Sequence, residues 1–303
     1  MELDDPRLPL LSLISIEKSH VNLHPPKVFL FGGDLGNTSV RSLLYSHILV
    51  KYPALYKSLV IVEEFKDWLH DSIYPDLLTF ESDLAETASL VVISLESPGA
   101  IAELGSFSVN EKLKNKVVII ISEDHHNQDS YIKLGPLRQL NDENIFSYPY
   151  QYNDLEASLN DHLEDIAESL NLLLEVGNRT EKFNSDNMGH IAFLMYDLIL
   201  TYKALISKEI KQYLKELNID IAPHVVSRLL FLLEKLELVK KKRMGNNCYY
   251  LVIGDAHRIS FSNKFSKNKF DRNSATVSAI RYYNSAKKEK RRVQVLESAL
   301  GNA

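Results

Sequence analysis

Apolar residues change their spacing several times along the chain, and each change marks an element. Val28-Phe29-Leu30-Phe31 is a continuous apolar run that stops at Gly32-Gly33, the pattern of a buried parallel strand feeding a tight loop. Comparable runs at 59–62, 90–95 and 117–121, with a further candidate at 144–148, alternate with helical or loop sequence, the first helix spanning 39–51. Strand alternating with helix predicts an α/β unit built on a parallel sheet. Over 154–176, Leu155, Leu159, Leu163, Ile166, Leu170 and Leu173 recur every three or four residues, which predicts one amphipathic helix covering that sheet or a partner subunit.

The periodicity fails over 177–189, a polar stretch with two glycines, and the domain boundary is placed there. Residues 1–26, polar and closed by Pro25-Pro26, read as an N-terminal arm, and 27–176 as the first domain. Beyond the linker the spacing predicts helices over 188–205, 207–217 with Ser207 as N-cap, and 223–236 with Pro223 in the first helical position. Leu238-Val239, the basic run Lys240-Lys241-Lys242-Arg243, the turn Gly245-Asn246-Asn247 and 249–253 then describe a β-hairpin. Three helices followed by a two-stranded wing is the order of a winged helix-turn-helix, assigned to 190–260, with 261–303 a basic C-terminal extension.

Composition narrows the function classes. The chain has 303 residues, 45% hydrophobic and 25% charged, ordinary globular proportions for about two domains. It has no apolar run of the roughly 18 residues a membrane span needs and opens on acids rather than a basic leader. A single cysteine, Cys248, leaves no internal disulfide or multi-cysteine zinc site. A cytoplasmic protein with no membrane partner is expected. The net charge of −5 conceals a division: residues 240–292 hold fifteen Lys and Arg against three acids, a net +12, leaving −17 elsewhere. The basic part attracts polyanions and the acidic part repels them; the blander reading of the last segment is a solvated tail.

The sharpest local signal is Glu96-Ser97-Pro98-Gly99-Ala100-Ile101-Ala102-Glu103-Leu104-Gly105, which follows the strand at 90–95 and opens a helix. Ligands of open α/β sheets sit beyond the carboxyl ends of strands, where helix N-termini offer unpaired N–H groups. Ser97, Gly99 and the following amides are therefore candidates to cradle a phosphate. Glu103 is a candidate nucleophile or electrostatic partner for a sugar's anomeric carbon, against the simpler role of complementing the helix dipole. The loop Gly32-Gly33-Asp34-Leu35-Gly36 is a second candidate, though it matches neither a Walker loop nor the dinucleotide fingerprint. Asp34 either contacts sugar or base or caps the next helix. Glu81, Asp83 and Glu86 read as a solvated helix face on residue type alone. His125-His126 lacks zinc-ligand spacing and reads as surface; Trp68 reads as core.

These residues resemble the nucleoside 2′-deoxyribosyltransferase superfamily, whose members follow the equivalent strand with a loop and a nucleophilic glutamate in a Glu-Leu-Gly sequence. Glu103 stands at that glutamate. The related 2′-deoxynucleoside 5′-phosphate N-hydrolases carry a phosphate-contacting serine six residues earlier, where this chain has Ser97; Gly99 and Gly32-Gly33 match the loop glycines. Glu81 stands where those enzymes place an assisting aspartate, a departure in side-chain length. The strings FLFGGD, ESPGAIAELGSFSVNE and LGPLRQL, followed by a winged-helix region, more closely resemble type II retron effectors. The resemblance implies an α/β fold with a Rossmann/flavodoxin-like parallel sheet, plus the smaller winged-helix domain.

It further implies an anti-phage toxin, restrained by a reverse transcriptase and multicopy single-stranded DNA, that cleaves the N-glycosidic bond of NAD⁺ or a purine nucleotide. Glu103 and Glu81 are the implied catalytic pair, and Gly32, Gly33, Asp34, Ser97 and Gly99 the substrate contacts. Neither metal nor separate cofactor is expected, and a homo-oligomer is. Candidate nucleic-acid contacts are Arg228 on the third helix, Lys240, Lys241, Lys242 and Arg243 on the wing, and Lys264, Lys267 and Lys269 interleaved with Phe261, Phe265 and Phe270. Tyr249 and Tyr250 are candidates to stack on unpaired bases; the plainer alternative has the three phenylalanines closing a small core. The competing function is a nucleotide-sensing winged-helix transcription regulator without catalysis.

Overall fold

The computed structural model describes residues 4–62, 73–177 and 179–300; Trp68 lies outside them. The chain opens with α1 (Arg7–Leu11) and β1 (Ile14–Asn22), then runs through β2 (Val28–Phe31), α2 (Val40–Lys51), β3 (Leu59–Val60), α3 (Leu77–Ala85), β4 (Leu90–Ser94), α4 (Pro98–Ser108), β5 (Val117–Ser122) and β6 (Ile145–Tyr148). Helices α5 (Leu155–Asn160) and α6 (Leu163–Val176) follow, and then β7 (Thr180–Lys182), α7 (Met188–Tyr202), β8 (Ala204–Ile206), α8 (Ser207–Glu216) and α9 (Pro223–Lys235). The last elements are β9 (Val239–Met244), β10 (Asn247–Val252), β11 (Ile259–Asn263), α10 (Arg272–Ser285) and α11 (Lys290–Leu300).

These elements form two compact units, one of Leu23–Lys66 with Asp76–Arg179, the other of Met1–Asn22, Asp67–Pro75 and Thr180–Ala303. The first holds a five-stranded sheet in the order β3-β2-β4-β5-β6, every neighbouring pair parallel. The α/β expectation is met, and the order reverses between β2 and β4, which makes that junction the topological switch point. Val28, Leu30, Val92, Val118 and Ile120 form one sheet face, covered by Val40, Leu44 and Ile48 of α2 and by Leu159, Ile166 and Leu170 from α5 and α6. On the opposite face Phe31 meets Phe107 of α4 edge to face at 5.5 Å. The single helix expected over 154–176 is two, separated at Asp161 and His162.

The second unit departs further from the sequence reading. The residues read as an arm contain β1, the central strand of an antiparallel sheet ordered β11-β1-β7, with Ile14, Ile16 and Val21 buried. Glu17, Lys18 and His20 interrupt the apolar alternation, so the strand does not announce itself. Part of the expected linker is β7, and among the described residues those read as an extension supply β11, α10 and α11 rather than a solvated tail. Helix α7 stops at Tyr202, before the expected 205, where Lys203 takes φ 69°. Ala204–Ile206 then pairs with β10, giving a second sheet in the order β8-β10-β9. The N-cap of α8 is Ile206, one residue before the expected Ser207, its N–H donating to Glu209 Oε2 at 3.0 Å. Pro223 does occupy the first turn of α9. Among the described residues no helix is long and apolar enough to cross a membrane.

Candidate functional site

The loop between β4 and α4 lies at the carboxyl end of the sheet, and two adjacent residues in it point their side chains at different partners. Ser97 is the N-cap of α4: in extended conformation, its Oγ accepts from Ala100 N at 3.1 Å. A hydroxyl that accepts one hydrogen bond keeps its O–H to donate, so the cap leaves Ser97 able to bond an anion. Gly99 is exposed in the first turn of α4.

Glu96 reaches the other way. Its carboxylate accepts from Gly33 N at 2.8 Å, Val40 N at 2.6 Å and Arg41 N at 3.1 Å, bringing the loop after β2 and the first turn of α2 onto one side chain. Gly32 and Gly33, expected as substrate contacts, lie against this carboxylate, and the Gly33 N–H is spent on it. Asp34 turns back into its own loop, accepting from Gly36 N at 2.9 Å and Asn37 Nδ2 at 3.2 Å. It does not cap α2: Ser39 does, accepting from Ser42 N at 3.0 Å while Ser42 Oγ accepts from Ser39 N at 2.9 Å.

Glu103 sits four residues before Phe107 on α4 and so shares the helix face that meets Phe31 of β2. It is half-buried, with one carboxylate oxygen withdrawn from solvent. The helix read as a solvated acidic face is buried instead: Glu81, Asp83 and Glu86 are 8%, 4% and 3% exposed. Residue type suggested solvent because charged groups are seldom buried without partners; Glu86 has one in Lys112 Nζ at 3.1 Å.

On the β5 side of α4 lies a cavity of about 440 Å³. Leu95, Ile101, Ile121 and Ile132 supply apolar wall, and Ser97, Glu96, His125, Gln128, Ser130 and Tyr152 supply polar groups. Its size and mixed lining suit a small ligand. Tyr152 donates to Leu95 O at 2.8 Å and lies 5.4 Å from the His125 ring. Burial pushes the Tyr152 phenol above its usual range, and the Glu96 charge adds to the shift, so it serves as a neutral donor. His125 is exposed as expected, yet borders this cavity. Ser97 alone of the substrate contacts named from sequence lines it, and Glu103 is not among its lining residues.

The nucleic-acid candidates divide as sharply. Lys240, Lys241 and Arg243 are exposed, Lys241 also pairing with Glu234 at 3.1 Å. Lys242 is half-buried and donates to Ser298 Oγ of α11. Arg228 is half-buried, its guanidinium 5.9 Å from the Tyr74 ring while Tyr74 OH donates to its carbonyl at 3.3 Å; the neighbouring His224 and Ser227 are exposed. Tyr249 is 3% exposed and lies under Arg292 at 5.4 Å, so it does not stack on bases. Burial raises the half-buried Tyr250 phenol to about 12. Lys264, Lys267 and Lys269 stand exposed on the loop after β11. Phe261 and Phe270 pack together at 5.3 Å as core, whereas Phe265 is 58% exposed among the lysines.

Sequence reasoning did not single out Glu96 or Tyr152, which the structure places at this site. The signal for Glu96 was its place: an acid directly after a buried strand and before an N-cap serine, opposite two consecutive glycines. Tyr152 carried none, because it is brought to the cavity by β6 and the turn after it.

Comparison with known proteins gives this geometry a context. Over 161 residues the chain is 30% identical to an Escherichia coli protein of retron Ec86, named as a candidate ribosyltransferase/DNA-binding protein, covering 53% of this chain and 52% of that one. It is 26% identical over 179 residues to the correspondingly named protein of retron Ec73, also from Escherichia coli, covering 59% and 48%. The chain thus spans about half the length of the curated relatives it matches. Residues 37–241 match the STM3845 retron effector protein family. Since that match covers more than half of the chain, from the cap of α2 to the basic strand β9, the protein belongs to the STM3845 retron effector family.

Proposed function

We propose that the chain is a retron defence effector whose parallel-sheet unit, like the nucleoside deoxyribosyltransferases, cleaves the N-glycosidic bond of a nucleotide, NAD⁺ or a purine (deoxy)nucleotide. The observation that carries this reading is Glu103, a half-buried carboxylate with one oxygen withdrawn from solvent, on the helix that starts beyond β4 of the parallel sheet. Its carboxylate attacks C1′ of the sugar as the C–N bond breaks, or stabilises the positive charge developing there. For a purine nucleotide, buried Glu81 delivers a proton to the departing base as general acid; nicotinamide leaves NAD⁺ as a neutral molecule and needs none. Water then attacks C1′ and breaks the bond to Glu103, returning its carboxylate, while the water's second proton passes to Glu81 when that group has protonated the base and otherwise to solvent. Ser97 Oγ–H and the first-turn amides of α4 hold the substrate phosphate, and no metal or separate cofactor enters the scheme.

In the other unit, the order α7, β8, α8, α9, β9, β10 supports a winged-helix reading, and its exposed Lys240, Lys241 and Arg243, with Phe265 among Lys264, Lys267 and Lys269, support binding of single-stranded nucleic acid. The branched DNA of the retron and its reverse transcriptase are the proposed partners. The decisive experiment incubates wild type and Glu103→Gln, freed of partners, with NAD⁺ and with nucleoside and deoxynucleoside monophosphates, following free base by chromatography. Base released by wild type alone supports the glycosidase; base released by neither leaves the nucleotide-sensing regulator as the working reading.

A further inference from the structure

Consecutive glycines after a first strand invite the expectation that a ligand phosphate lies against them. In this chain the place is taken. Three backbone N–H groups, from Gly33, Val40 and Arg41, converge on the Glu96 carboxylate at 2.6–3.1 Å. A Cβ at Gly32 would stand 2.9 Å from Glu96 Oε1, and one at Gly33 would stand 3.0 Å from Glu96 Cδ. Gly32 also has φ +149°, where a side chain is strained. The Gly33 carbonyl is held from its other side by Arg41 Nη1 at 3.3 Å, and Arg41 is itself 1% exposed. Both glycines are thus explained by the approach of a side chain of the same molecule.

We infer that Glu96 is a positioning residue, a built-in carboxylate that fills the anion-receiving place at the glycine loop and clasps that loop and α2 to the segment carrying Ser97 and Glu103. An anion bound by several converging amides is held by charge-assisted hydrogen bonds, and a tethered one needs no free ligand to form them. Glu96 and Ser97 are consecutive, so the residue that fixes the first loop also fixes the start of α4. The glycine loop is consequently closed to a substrate phosphate, which is left to the α4 side. The clasp stands on the geometry alone; its effect on turnover rests on the glycosidase reading.

Amide hydrogen exchange across residues 31–42 of the full chain tests this, with wild type, Glu96→Ala and Glu96→Gln, each with and without inorganic phosphate against a chloride control of equal ionic strength. The wild-type loop is expected to be protected and indifferent to phosphate. In Glu96→Ala the Gly33, Val40 and Arg41 amides should exchange at least about tenfold faster, since bonds to a charged acceptor are lost, and phosphate should restore part of the protection by entering the vacated place. Glu96→Gln keeps the side-chain length but turns an N–H₂ toward the donors on one side, so if the alanine variant does not fold it should still speed exchange of the amides on that oxygen, Val40 or the Gly33 and Arg41 pair. For base release, both variants should lower kcat while leaving KM little changed, and formate should rescue Glu96→Ala. Unchanged exchange in the variants, or wild-type amides that phosphate slows, overturns the clasp. A wild type that releases no base from any nucleotide defeats the glycosidase proposal and leaves the exchange result to decide the clasp by itself.

Discussion

Both units bury charge, and they differ in how far other side chains answer it. In the parallel-sheet unit the buried end of Glu96 is answered by backbone amides; Glu86 does meet Lys112, but that lysine remains half-exposed. In the second unit buried charges answer one another. Arg7 pairs with Glu209 at 2.8 Å, Glu209 with Arg292, and Arg292 with Glu289 at 2.7 Å, with the Arg7 guanidinium over the rings of Tyr213, Tyr282 and Tyr283. Asp197, fully buried, accepts from the Arg258 and Ile259 amides and from Arg272 and meets His257 Nδ1. At Glu96 the amide-held charge fixes one loop to one helix, with glycine where its carboxylate approaches the loop. Side-chain networks instead tie α1 to α8 and to the segment before α11, joining the first residues of the chain to nearly the last.

That contrast is exposed first by Arg292→Met, which leaves Arg7 as the remaining cation for buried Glu289 and half-buried Glu209 and should cost up to about 3–5 kcal/mol, read from urea unfolding with hydrogen exchange in α8 and α11. A loss under about 1 kcal/mol would mean the network does not hold the unit. Pairing it with Glu209→Leu sharpens the point, because removing both charges should recover part of the loss. In the parallel-sheet unit the comparable lever is packing: Ile120 is fully buried, and Ile120→Val should cost about 0.5–1.5 kcal/mol, with faster exchange in β4 and β5 and little change in α10.

Charge that faces solvent should matter to binding and little to stability. Reversing Lys240, Lys241 and Arg243 to glutamate should shift stability by no more than about 0.5 kcal/mol. Affinity for single-stranded DNA should fall about tenfold or more at low salt, with a shallower salt dependence; unchanged affinity would remove the hairpin from the interface. The smallest effect belongs to Asp5. Burial raises its pKa, but the Arg7 hydrogen bond and charge outweigh it and hold the group below 3.8. A depressed carboxylate contributes stability at pH above its unfolded value and loses it as pH falls through the folded one. Asp5→Asn should therefore cost a few tenths of a kcal/mol near pH 7, a gap that closes below about pH 3.8 in acid titrations.

Hydrophobic spacing by itself determined the parallel sheet and most of its helices, because strands buried on both faces leave uninterrupted apolar runs and covering helices leave a regular stripe. It determined Ser97 and Glu103 as candidates, since a strand end, a cap residue and an acid one turn on are all local. Charge count separately divided the basic stretch 240–292 from the acidic remainder. Tertiary structure decided what local pattern does not encode. The strand at Ile14–Asn22 exists because Ile259–Asn263 and Thr180–Lys182 pair with it from far along the chain. Ala204–Ile206 leaves the helical stripe because β10 offers a sheet edge. The acids of α3 are buried, Tyr249 and Phe270 are core while Phe265 is surface, and Glu96 rather than a ligand meets the two glycines. In each case the deciding contact comes from a residue distant in sequence, and its energy has no trace in the spacing of the residues it acts upon.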